Sequence, residues 1–189
     1  MKKQIVFFFS ALALLIGCSD DPSIPPVTVD HPPATTVILT LVHIDNLGNP
    51  LDTTSCTVRD TSVTALKGKP SVEGKLLLKY QNIYKGTFTL LDESQSPTKD
   101  VTGEVVAEKE AHLFKLTVKE NGNPSAAVVI SDLDKDSKGL DFGLNFKVMT
   151  GANLANGAIH VILEHHDDGN KLGAQYDTDL DRDFPFELQ

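Results

Sequence analysis

From Thr36 to the end of the chain, apolar residues recur mainly at every second position rather than at every third or fourth. That spacing is the side-chain repeat of an extended strand, not of a helix. In TVILTLVHI (36–44), Val37, Leu39, Leu41 and His43 share one face, while Ile38, Val42 and Ile44 lie on the other. Further short runs follow: SCTVRD (55–60), KLLLKY (75–80), YKGTFTLLD (84–92), HLFKLTV (112–118), AAVVISD (126–132), LDFGLNFKVM (140–149), AIHVILEHH (158–166) and FPFEL (184–188). Turn chemistry separates them, with LGNP at 47–50 and ENGNPS at 120–125. About nine short strands at such intervals predict an all-β, antiparallel, immunoglobulin-like β-sandwich spanning 37–189. One stretch departs from the pattern. DVTGEVVAEKEAHL (100–113) suits a short helical turn near 103–111, kept short by Gly103 and its β-branched neighbours.

The chain ahead of this domain has a different character. Lys2 and Lys3 precede twelve apolar-rich residues, IVFFFSALALLI (5–16). That run is too short to span a bilayer as a helix, which takes about 20 residues, and has the length of a signal-peptide core. It ends Leu15-Ile16-Gly17-Cys18. The ending resembles a bacterial lipobox, which implies a signal peptide over 1–17, cleavage before Cys18 and lipidation of that cysteine. Several acyl chains anchor stably where one does not. Residues 18–36 then form the lipidated Cys and a Pro-rich tether. It carries Pro22, Pro25, Pro26, Pro32 and Pro33, which suit neither a helix nor a central strand. At about 3.1 Å per residue it would reach on the order of 50 Å. The expected location is the outer membrane, on its periplasmic or its surface face.

Charge and cysteine usage narrow the partners. Loss of residues 1–17 removes two of 17 basic residues and none of 26 acidic ones, taking the formal charge from −9 to −11. Such a charge argues against nucleic acid or anionic lipid headgroups as partners, and is compatible with cation binding and equally with plain solubility. With Cys18 lipidated, Cys56 has no partner for a disulfide and reads as a small core residue.

Three constellations could carry chemistry. His112 opens one strand and His165-His166 closes another, while Asp177, Asp179 and Asp181 alternate in DTDLDRD. If the strand ends meet at one rim, His112, His165 and Asp179, with His166 and Asp177 as further candidates, would suit Zn²⁺ or Cu²⁺. The competing reading makes His112 a core-edge residue and HHDDG a solvated hairpin. Asp132, Asp134 and Asp136 copy positions 1, 3 and 5 of a calcium loop. However, Ser137 stands at the glycine position and Gly143 at that of the bidentate glutamate, so a polar hairpin turn is the stronger reading. No G-x-S-x-G, H-E-x-x-H, phosphate loop or C-x-x-C is present, which disfavours an enzyme and leaves a cryptic hydrolase as a remote alternative.

The stretches TTVILTL (35–41), GTFTLLDES (86–94), VTGEVVAEKEAHLFKL (101–116), AVVISDLDKDSKGL (127–140) and the end GAIHVILEHHDD…YDTDLDRDFPFELQ carry a resemblance. They are similar to a family of small Bacteroidota outer-membrane lipoproteins labelled "type 1 periplasmic binding domain-containing". In that family a Glu precedes the histidine where Ala111 stands here, and Asp-Gly occupies the place of Ser137-Lys138. The resemblance implies an accessory capture role beside a TonB-dependent receptor and no catalysis. The fold named in the label is not implied, since about nine strands do not make an alternating α/β pattern. The expected function is capture of a metal ion or small ligand. The alternative is a structural or adhesive surface lipoprotein that binds protein partners.

Overall fold

A computed structural model describes residues 34–60, 70–153 and 155–189. The expected signal peptide, Cys18 and most of the expected tether therefore lie outside the described residues. The domain is an all-β sandwich of two sheets. About nine strands were expected; the described residues form twelve, several of them only two to four residues long.

The first sheet is built from β1 (Thr36–Ile44), β2 (Pro50–Arg59), β3 (Ser71–Gly74), β5 (Ile83–Asp92), β6 (Lys99–Asp100), β9 (Val128–Ser131) and β10 (Asn145–Thr150). Its order is β3-β2-β1-β5-β10-β9, with β6 also paired to β5. The second contains β4 (Leu76–Leu78), β7 (His112–Glu120), β8 (Asn123–Pro124), β11 (Ala155–His165) and β12 (Asp177–Leu188), in the order β4-β12-β11-β7-β8. All pairings are antiparallel except β12 with β4. Among the described residues, no helix is long and apolar enough to cross a membrane.

Alternation places the core as the sequence pattern requires. Val37, Leu39 and Leu41 are buried from β1, and Ile159, Val161 and Leu163 from β11. Phe88 of β5 joins the layers. Its ring lies 5.1 Å from that of Phe114 in β7 and 5.9 Å from that of Phe184 in β12, both in the opposite sheet. Cys56 is buried in β2 and free. Burial pushes its thiol up to about 11.

The expected helical turn is α1 (Thr102–Ala107), which buries Val105. Helical bonding continues past it, because the backbone N–H of His112 donates to the carbonyl of Glu108 at 3.2 Å. His112 therefore begins β7 one helical turn beyond Glu108. This junction sets one wall of the site.

Candidate metal centre

The centre forms where β7 begins and β11 ends. His112 and His165 are direct partners in the β7–β11 ladder. Their rings stack with centroids 4.5 Å apart and planes at 18°. His112 is wholly buried, whereas the His165 side chain keeps 15% of its exposure. Strand geometry alone explains the meeting. Residues directly opposite in an antiparallel pair hold their Cβ atoms about 4.5–5.5 Å apart.

Asp179 arrives by a different route. β11 and β12 pair Leu163 with Leu180 but Glu164 with Thr178, so Asp179 is an extra residue in a β-bulge. A bulge bends its strand and re-aims the extra side chain. Here Asp179 Oδ2 comes to 3.3 Å from His112 Nε2. The alternation of Asp177, Asp179 and Asp181 is broken at this bulge. Asp181 and Asp183 instead flank His160, whose Nδ1 is 2.8 Å from Asp183 Oδ1.

The tautomer of His112 follows from its other nitrogen. Nδ1 lies 3.0 Å from the Glu108 carbonyl oxygen, which only accepts, so Nδ1–H donates. In the neutral ring, the Nε2 lone pair then faces the Asp179 carboxylate. The two groups can share a proton as a hydrogen-bonded pair, or turn together to a metal cation.

Glu108 was missed in the sequence reading; with His112 and His165 it forms a set that does not include Asp179, which meets His112. Among the described residues, Glu108, His112 and His165 are the set whose ligand atoms all lie within 4.8 Å of one another. Tetrahedral ligation with bonds of about 2.0–2.1 Å puts donor atoms about 3.3–3.4 Å apart. The group would have to contract by an ångström or so, and the exposed Glu108 side chain has room to move. The signal in the sequence was Glu-x-x-x-His across a helical turn.

The remaining candidates stand elsewhere. Asp177 pairs with His165 across the ladder and is exposed on the wall of an adjoining pocket. His166 is wholly buried, with Nε2 3.3 Å from Glu164 Oε2, and does not join the group. Glu164 in turn accepts from Lys115 Nζ at 2.7 Å.

The three aspartates of the calcium-like segment have no common focus. Asp132 pairs with Lys147 at 2.7 Å. Asp134 accepts from the Gly143 backbone and the Asn145 amide, each at 2.8 Å. Asp136 accepts the N–H groups of Lys138 and Leu140 on one oxygen and pairs with Lys171 Nζ at 3.0 Å through the other. The Lys171 ammonium thus occupies the ground a calcium ion would need, and the segment is a hairpin held by its own carboxylates. Burial pushes the Asp136 carboxyl up, but Lys171 and the two backbone donors outweigh it and hold the group below the usual range.

Comparison with family models, with curated proteins and with solved structures finds no match.

Proposed function

We propose that this protein is a lipid-anchored outer-membrane protein that captures a divalent transition-metal ion, Zn²⁺ or Cu²⁺, and serves as accessory to a TonB-dependent uptake receptor. The observation that carries the metal reading is the convergence of Glu108, His112 and His165, whose ligand atoms lie within 4.8 Å of one another, with Asp179 Oδ2 3.3 Å from His112 Nε2. Two imidazoles and one or two carboxylates suit Zn²⁺ or Cu²⁺. Calcium prefers six to eight oxygens, which this group does not offer. The anchor rests on the lipobox at Cys18, and the receptor partner on the family resemblance alone.

The test is calorimetric titration of the chelator-treated full chain, in mild detergent and without tag histidines, against Zn²⁺, Cu²⁺ and Ca²⁺. Micromolar or tighter binding of Zn²⁺ or Cu²⁺, abolished by His112→Ala, supports the reading. Failure of both ions to bind would overturn it. His112 and Asp179 would then be a buried ion pair, and a structural or adhesive surface protein would be the better account.

A further inference from the structure

The candidate centre is not sealed. A pocket of about 340 Å³ opens beside it, lined by His165, Asp167, Asp168, Ala174, Gln175, Tyr176 and Asp177. His165 belongs to both places: it forms the pocket wall and stacks on the buried His112. The other titratable side chains on the wall are three carboxylates, of Asp167, Asp168 and Asp177, together with Tyr176. All three aspartates are exposed, and Asp167 Oδ1 lies 3.9 Å from His165 Nε2. Two ammonium groups beside the wall are engaged with other partners. Lys138 donates to the Gly169 carbonyl at 3.2 Å, and Lys115 pairs with Glu164 while lying 5.4 Å over the Tyr176 ring.

We infer that this pocket is the access vestibule of the metal centre, through which a small hydrated cation reaches His165 and then His112, so that the ion is an exchangeable cargo. The inference rests on the metal reading above and adds the route and the exchange. Its physical basis is twofold. A concave surface lined by one sign of charge raises the local concentration of counter-ions and their association rate, by about 10–10³-fold for strong fields. The volume also accommodates an ion with water around it, each water taking about 30 Å³ of liquid volume. A structural ion would need neither feature, because structural sites are closed and fully ligated by protein.

The experiment is stopped-flow mixing of the full chain with Zn²⁺, read by competition with a chromophoric chelator, with excess chelator used to follow release. The wild-type chain is compared with the Asp167→Asn/Asp168→Asn/Asp177→Asn variant. We expect association to slow about tenfold at low ionic strength, release to change less than twofold, and the difference to vanish near 0.5 M salt. Equal association rates with the same salt dependence would overturn the vestibule. Release of the wild-type ion over hours would overturn exchange. A wild-type chain that binds no Zn²⁺ in this assay and neither Zn²⁺ nor Cu²⁺ by calorimetry would instead remove the metal reading itself. Urea melts of both chains check that the triple variant is folded.

Discussion

His112 and His165 sit opposite each other on β7 and β11 with their rings stacked 4.5 Å apart, one wholly buried and the other at the edge of a pocket. The stack would serve packing as well as the proposed ligation, and the two roles can be separated. His165→Phe keeps an aromatic ring against His112 and removes the donor nitrogens. In the absence of metal, this variant should melt within a few degrees of the wild type. The wild-type chain should gain about 2.7 kcal/mol at a Zn²⁺ concentration of 100 times Kd. The Phe variant should gain almost none. Thermal melts with and without Zn²⁺ make the comparison, and an equal gain in both chains would exclude His165 as a ligand.

The Asp136–Lys171 pair should behave as a structural clamp. Both side chains are at most 2% exposed. Asp136→Asn leaves the ammonium buried without its counter-charge, so a loss of about 3–5 kcal/mol is expected in urea melts. The carboxyl is held below its ordinary value in the folded state. Its contribution is therefore present above the unfolded carboxyl value of about 3.9 and fades as pH falls through the lower folded value. Midpoints measured at pH 7, 5 and 3 should drop toward acid in the wild type, and less steeply in Asp136→Asn. Added Ca²⁺ should leave the midpoint of either chain unmoved.

Cys56 should be silent in the folded protein. Its thiol is buried, and burial raises it to about 11, so the thiolate that reacts is scarce at neutral pH. A chromogenic disulfide reagent at pH 8 should label the native chain at a small fraction of the rate seen in denaturant. This holds for protein with Cys18 lipidated, or with Cys18→Ser in its place. Rapid native labelling would mean that β2 opens.

The strands were legible because a period of two leaves a trace in a single sequence, and Val37, Leu39 and Leu41 follow it without exception. His112 and His165 were legible as strand ends, but their register was not, since pairing depends on residues far apart in the chain. Asp179 was named on the basis of alternation, yet it reaches His112 because alternation breaks there; nothing in DTDLDRD marks the bulge. Glu108 was overlooked because it is exposed and lies on a helical turn, where a strand-based search does not look. The calcium-like spacing of Asp132, Asp134 and Asp136 gave no hint of Lys171, whose ammonium comes from a distant loop. Local patterns show which faces exist, and tertiary pairing decides which side chains meet.

A last prediction concerns how the two sheets are held together away from the candidate metal centre. Asp60 follows β2 in the first sheet and Arg182 lies in β12 of the second. Arg182 Nη2 is 3.0 Å from Asp60 Oδ2, with both side chains at least nine-tenths buried. Removing one member strands a buried charge, so Arg182→Met should cost about 3–5 kcal/mol. Replacing both with apolar residues of similar size removes that penalty, and Asp60→Leu/Arg182→Met should recover most of the loss. A double-mutant cycle from urea midpoints reads the coupling, expected to be at least as large as the loss in Arg182→Met alone. Additive effects would show that the two charges are stabilised by other neighbours and that the sheets do not depend on this pair.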